Sequence, residues 1–242
     1  MANVSYNELW TSKWGDMQHW GPCHRHTMRV IHDDISALSG VRTVLDVGCG
    51  SGENLAVLER MNKYELFGSD FSEEALKLSR QCVPNAKLFT LDVEKTHLPE
   101  KFYLVMSHQV IEHIVDDVAS LKNMAKMSKK YLYVSSMQGR MRKSERLIGH
   151  YRNYSRWELA RKLEAAGCKV LWIKGWGFPF YSPLYRTVVE WLPGGPPGGE
   201  IKGSTRLMAR LIYQLYKLNV PGKGDYIYAM AEVPSSENSA QK

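Results

Sequence analysis

Between residues 41 and 177 short apolar runs alternate with stretches of helical periodicity, and this alternation constrains the chain more than any other feature. VRTVLDV (41–47), YELFGSD (64–70), NAKLFTLD (85–92), FYLVMSH (102–108) and KKYLYVSSM (129–137) read as strands. ENLAVLERM (53–61), SEEALKLSRQC (72–82) and residues 116–128 between them have helical spacing, and RWELARKLEAAG (156–167) is a further helix that stops at a glycine. Ser72, followed by two glutamates, predicts a capped helix start. CKVLWIKGWG (168–177) and DYIYAMAEV (225–233) add two late strands. Strands that alternate with helices form a largely parallel sheet covered on both faces, so the predicted class is α/β, doubly wound.

The 242 residues suffice for one large domain with a sizeable core. No apolar run approaches the ~20 residues of a membrane span, and MANVSYNELWTSKWGDMQHW has no signal-peptide pattern. Cys23, Cys49, Cys82 and Cys168 form no CxxC pair, so reduced thiols in a cytoplasmic protein are expected. The net charge is +7, and residues 138–162 alone hold eight Lys and Arg against Glu145 and Glu158, which is +6. Such a stretch is either a solvated basic face or an attractor of an anionic substrate, nucleic acid or lipid headgroups. Residues 1–40 read as an N-terminal helical lid, 41–233 as the main domain and 234–242 as a disordered tail.

The first strand runs into DVGCGSG, with Asp46 followed by Gly48, Gly50 and Gly52. A glycine turn after a strand sets a helix N-terminus over the carboxyl edge of the sheet, where open α/β sheets bind ligands. The spacing D-x-G-x-G-x-G departs from the dinucleotide pattern G-x-G-x-x-G. Asp70 ends the second strand, where a carboxylate can accept two ribose hydroxyls of either an NAD or an S-adenosyl ligand. Asp92 ends the third predicted strand, placed for an adenine amino group. Three acids at strand ends suit an adenosine with a cationic, amino-acid-like tail better than a pyrophosphate.

VLDVGCGSG, GSDFSEEAL, LDVEKTHLP and FYLVMSHQVIEHI, in this order, resemble the successive motifs of class I S-adenosylmethionine-dependent methyltransferases. The resemblance spans about residues 41–177 and the strand at 225–233. It implies a Rossmann-like, seven-stranded, mostly parallel sheet with a C-terminal antiparallel strand, and S-adenosylmethionine as cofactor. It also implies cofactor contacts at Gly48, Gly50, Asp70, Phe71, Asp92, Val93, Ser107 and His108, with Asp46 orienting the loop and touching the methionine end. QVIEHI and GHYRNYSRWELARKLEAAGC are similar to the branch of ubiquinone-biosynthesis-type O-methyltransferases and of glycan and natural-product methyltransferases. There an arginine of the N-terminal helix binds the cofactor's carboxylate, which points to Arg29, with Arg25 one turn earlier as the alternative. Some members bind a divalent metal at Glu-x-x-Glu-His, but Gln109 replaces the first glutamate and leaves Glu112 and His113, so no metal is expected.

Methyl transfer from an activated donor asks the protein chiefly for positioning, with a general base where the acceptor is a hydroxyl or ammonium. His150, His113 and His108 are the candidates, His150 first, and Tyr151 and Arg152 beside it are candidate acceptor contacts. His19, His24 and His26 in HWGPCHRH have no acid or thiol to complete a metal site and read as part of the lid. The excursion 178–224 contains the loop LPGGPPGGE (192–200) and aromatic residues suited to an acceptor pocket: Phe178, Phe180, Tyr181, Tyr185 and Trp191. In GSTRLMARLIYQLYKL (203–218), Leu207, Met208, Leu211, Ile212, Leu215 and Leu218 share one helical face. A core-packing helix is expected there, with a lid, a homodimer contact or peripheral membrane contact as alternatives.

The expected function is methyl transfer to oxygen or nitrogen of a small-molecule or lipid-linked acceptor. An RNA methyltransferase using the basic stretch is the alternative. It is disfavoured by the absence of an Asn/Asp-Pro-Pro-aromatic loop after the fourth strand, where SHQV stands. A non-catalytic S-adenosyl-ligand binder ranks last.

Overall fold

Helix α1 (Pro22–Ser36) precedes strand β1 (Thr43–Val47), and the chain then alternates through α2 (Glu53–Glu59), β2 (Glu65–Asp70), α3 (Glu73–Cys82), β3 (Lys87–Thr90) and β4 (Phe102–His108). A 3₁₀ turn (Ile111–His113) leads to α4 (Asp117–Met127), β5 (Ser128–Met137), the short α5 (Lys143–Leu147), α6 (Arg156–Ala165) and β6 (Lys169–Trp176). A π-helical turn (Phe180–Tyr185), α7 (Arg186–Trp191), α8 (Gly203–Tyr216) and β7 (Tyr226–Glu232) complete this computed structural model, which describes residues 19–191 and 203–234. The predicted loop at 192–200, most of the predicted tail and residues 1–18 of the predicted lid lie outside the described residues.

The seven strands form one sheet in the order β3-β2-β1-β4-β5-β7-β6. β7 runs antiparallel to both of its neighbours, and every other pairing is parallel. The order reverses between β1 and β4, so their carboxyl ends diverge and open a crevice. β1 and β4 are buried along almost their whole length, which is why they read as apolar runs without alternation. On one face of the sheet Leu104 and Met106 pack with Ile31, Ile35 and Leu58; on the other, Leu45 and Val105 pack with Leu121, Met124 and Leu159. Ile31 and Ile35 are fully buried, so the C-terminal half of α1 belongs to the core.

The capped start at Ser72 is present, its Oγ accepting from the Ala75 N–H at 3.3 Å, with Glu73 and Glu74 in the first turn. The third strand stops two residues before Asp92, because the Asp92 carbonyl accepts the N–H groups of Lys95 and Thr96 and turns the chain. The expectation of a core-packing face on 203–218 is corrected. α8 lays Ala209 and Tyr216 against the body, with Ile212 half-buried, and leaves Leu207, Met208, Leu211 and Leu215 exposed. The small Ala209 permits close approach to α1, and the His26 ring stacks on Tyr213 with centroids 4.2 Å apart. The contact is thus made by a narrow aromatic strip rather than by the leucine row.

Candidate active site

Gly48 stands where β1 breaks off. Its N–H and that of Cys49 both donate to the Ser69 carbonyl, at 2.7 and 2.9 Å, which folds the loop back across the end of β2. Gly48 has φ +75°, and a Cβ there would lie 2.4 Å from a Val110 methyl. Glycine is therefore required on both conformational and steric grounds. The Gly50 N–H reaches Asp70 Oδ2 at 3.0 Å and the Ser72 N–H reaches Oδ1 at 2.9 Å. Each Asp70 oxygen keeps further accepting capacity for a ligand. Burial raises the Asp70 pKa, and the N–H groups of Ser72, Gly50 and Phe71 lower it.

Asp46 is wholly buried behind this loop, and neither of its carboxylate oxygens makes a hydrogen bond of ordinary geometry. Burial pushes its pKa up to about 7; the Asn54 amide draws it down and Asp70 pushes it up. Such a carboxyl would be stabilised by a nearby cation.

Two cavities lie along the crevice. The smaller, about 230 Å³, is lined by Asp70, Phe71, Asp92, Val93 and Val110. The larger, about 290 Å³, is lined by Gly50, His108, His113, His150 and a set of tyrosines: Tyr181, Tyr185, Tyr216 and Tyr226. Gly48, Gln109 and His113 line both, so the cavities adjoin at the carboxyl ends of β1 and β4. Gln109 has φ +57°, a left-handed conformation unusual for a side-chain-bearing residue, and its buried amide nitrogen has no hydrogen-bond partner. The acid-lined cavity and the glycine loop fit the adenosine and tail of S-adenosylmethionine.

The three histidines proposed as bases all reach the larger cavity. Burial lowers the His113 pKa to about 3, with His150 lowering it further and a Gly149 backbone hydrogen bond raising it. His150 is lowered to about 4 by burial, with Asn153 raising it and Arg186 lowering it. Their rings meet edge to face, with centroids 4.5 Å apart. His108 is lowered to about 3 by burial, with His24 adding to the effect, and its Nδ1 bonds the Ser135 hydroxyl. Glu112 moves oppositely. Burial pushes it up to about 8, against its own backbone N–H and the Ser136 hydroxyl, with Glu145 adding to the rise. Ser136 donates to Glu112 Oε2 at 2.8 Å, and Oε1 has no partner. Burial thus favours the neutral form of the imidazoles and of the carboxyl alike. Glu112, His113 and His150 also place one ligating atom each within 4.8 Å of one another. The sequence pattern around Gln109 could not include His150, which arrives from the loop after α5.

Several expected site residues lie elsewhere. Arg29 is exposed on α1 and lines neither cavity; Arg25 lies over the Tyr213 ring, 4.1 Å from its centroid. The cavity-facing side of α1 carries Cys23, His24, Thr27 and Met28 instead. Ser107 spends its hydroxyl on the Val47 carbonyl at 3.0 Å, tying β4 to β1. Arg152 pairs with the buried Asp117 at 2.7 Å, and Tyr151 is exposed beside it. Phe180 packs on the core while its neighbour Tyr181 lines the cavity. Phe178 and Trp191 are exposed.

Four of the eight basic residues of 138–162 form ion pairs within the molecule, on two acids. Arg140 and Arg142 hold Glu190, at 3.0 and 2.5 Å, and Lys162 joins Arg152 on Asp117. Arg156 donates to the Gly222 carbonyl. Arg186 was missed because its partners are distant in sequence. It is buried at the cavity wall and bonds both Glu145 and Asp225.

Residues 44–131 match the family described as methyltransferase domain. Protein 235L of Invertebrate iridescent virus 6, which carries a provisional methyltransferase name, is 26% identical over 102 residues, 40% of this chain. The chain spans 38% of the length of that relative. A chain from the complex of the Haloferax volcanii Trm112 methyltransferase activator superposes with a TM-score of 0.66 at 16% identity, covering 97% of this chain and 100% of the other. Magnesium protoporphyrin IX methyltransferase (ChlM) from Synechocystis PCC 6803, solved with S-adenosylmethionine bound, superposes with a TM-score of 0.59 at 14% identity, covering 97% and 86%. Residues 44–131 thus carry the methyltransferase-domain match, and the seven-stranded sheet around them has the Rossmann-like fold of these solved structures.

Proposed function

We propose that the protein transfers a methyl group from S-adenosylmethionine to oxygen or nitrogen of a small-molecule acceptor held in the larger cavity. The observation that carries this reading is the junction of the two cavities at Gly48, Gln109 and His113. Asp70 and Asp92 would hold the nucleoside of the cofactor and Gly48 and Gly50 would meet its tail, beside the histidine- and tyrosine-lined space. When bound, the cofactor supplies a methyl group already activated on a cationic sulfur, and that positive charge would favour the ionised form of Asp46 behind the loop. The chain's own work is to bind, orient and accept a proton.

His150 is the preferred base. Its Nδ1 is buried without a partner, and its lowered pKa keeps the ring neutral and able to accept. The neutral Glu112 neighbours it without competing for that proton. The tyrosine wall suits an acceptor with an apolar or ring-bearing body and a hydroxyl or amine. The pairing of Arg140, Arg142, Arg152 and Lys162 with internal acids argues against use of the basic stretch on nucleic acid.

The test is transfer of a labelled methyl group from S-adenosylmethionine into metabolite fractions, with the product identified by mass. His150→Gln should lower turnover about 10²–10⁴-fold, the range of general-base catalysis, while S-adenosylhomocysteine still binds. Loss of binding with turnover, or undiminished turnover, would remove the role given to His150.

A further inference from the structure

α8 has three sides of different chemistry. One side, Ala209 and Tyr216, is buried against the body. A second carries Leu207, Met208, Leu211 and Leu215, with Leu218 in the turn that follows; at 100° per residue this row is turned away from the buried side. Leu207 is 59% exposed, Leu211 56% and Leu218 66%. The third side, adjacent to the row, carries Arg206, Arg210 and Lys217, all exposed. The segment 203–224 holds four cations and no acid. The preceding helical segment repeats the pattern: Val189 is buried at the cavity wall, while Val188 is exposed and Trp191 is 83% exposed.

An apolar row flanked by a cationic row is the arrangement of a helix lying in the plane of a bilayer surface, with leucines among the acyl chains and arginines at the phosphates. A second copy of this chain would bring the same unopposed cations together, so charge complementarity favours an anionic partner over self-association. We propose that the exposed face of α8 docks on an anionic lipid surface. Tyr216, on the inner side of the same helix, lines the larger cavity. If the methyltransferase reading holds, the docked face sets that cavity beside the bilayer, where an acceptor carried in the membrane can reach it. The docking itself does not depend on that reading.

Co-sedimentation of the full chain with vesicles tests this. Binding to mixed phosphatidylcholine–phosphatidylglycerol vesicles should be at least about tenfold tighter than to phosphatidylcholine alone, since each surface cation contributes roughly 1 kcal/mol and a tenfold change corresponds to about 1.4 kcal/mol. L207E/L211E should abolish binding without lowering the melting temperature, because both side chains are already exposed. R210E/K217E should abolish the preference for the anionic lipid. Absence of binding to either vesicle, or binding unchanged in L207E/L211E, would overturn the proposal. So would light scattering that shows a dimer which L207E/L211E dissociates, because the face would then belong to a second copy. Calorimetry with S-adenosylhomocysteine on the same preparations keeps the two readings apart. Vesicle binding without nucleoside binding leaves the docking intact and removes the methyltransferase function.

Discussion

A carboxyl shut away from water lowers stability only while it is ionised. Glu112 titrates near its ordinary 4.5 in the unfolded chain and near 8 in the fold. Its folded pKa is raised, so its favourable contribution is complete below about 4.5 and is lost as pH rises toward about 8. Glu112→Gln keeps an acceptor for the Ser136 hydroxyl and cannot ionise. The variant should match the wild type in thermal melts near pH 4 and exceed it near pH 9; equal melting temperatures at the higher pH would show that burial does not raise the Glu112 pKa. The lowered histidines act in the other direction. His108, His113 and His150 contribute stability that is full above about 6.5 and is lost as pH falls toward 3–4. At Gly48 the contact that a Cβ would make with Val110 and the positive φ both oppose substitution. Gly48→Ala should cost about 1–3 kcal/mol, as overpacking and positive-φ strain do, and should weaken S-adenosylhomocysteine binding in calorimetry. Unchanged affinity in a folded Gly48→Ala protein would remove the loop from the site.

At the scale of elements, Arg186 joins three pieces of chain: Glu145 on α5, its own α7 and Asp225 before β7. Removing one partner of a buried charge cluster leaves the others uncompensated, at about 3–5 kcal/mol when burial is complete. Asp225 is partly exposed, so Arg186→Met should fall toward the lower end of that range. It should lower the melting temperature by about 2–4 °C per kcal/mol. Arg186→Lys should recover part of the loss, and a melt unchanged in Arg186→Met would deny the cluster its structural role.

The same elements show what sequence can and cannot carry. The sheet was legible because strands buried on both faces must be apolar throughout, and because Ser72 and Gly167 punctuate their helices by local chemistry. The motif after β4 and the GHYRNYS loop pointed to His108, His113 and His150, which the fold brings to one cavity. The orientation of α8 was not: periodicity identifies an apolar row but not the side on which a neighbour lies. Arg152 was misplaced for a similar reason, since a count of charges does not reveal that Asp117, on another helix, takes one of them. Arg29 was placed by distance along the chain, whereas the cavity is met by the turn of α1 that bears His24 and Thr27.

Over the whole molecule, the reversal of strand order between β1 and β4 creates one crevice, and everything proposed for function follows from how the two cavities share it. A ligand spanning both should stabilise the fold with the logarithm of its free concentration, by about 2.7 kcal/mol at a hundredfold excess over Kd. If α8 docks as proposed, its inner side at Tyr216 and its outer leucine row tie acceptor access to surface attachment. The proposed function requires an S-adenosyl nucleoside in the acid-lined cavity with Asp70 on its ribose. Isothermal titration of S-adenosylhomocysteine into the wild type and Asp70→Ala is the decisive measurement. Saturable binding at one site per chain is expected, weakened at least about tenfold in the variant, because a hydrogen bond to a charged group contributes about 1.5–3 kcal/mol. Equal affinity in the two proteins, or binding of NAD in place of the S-adenosyl compound, would contradict it.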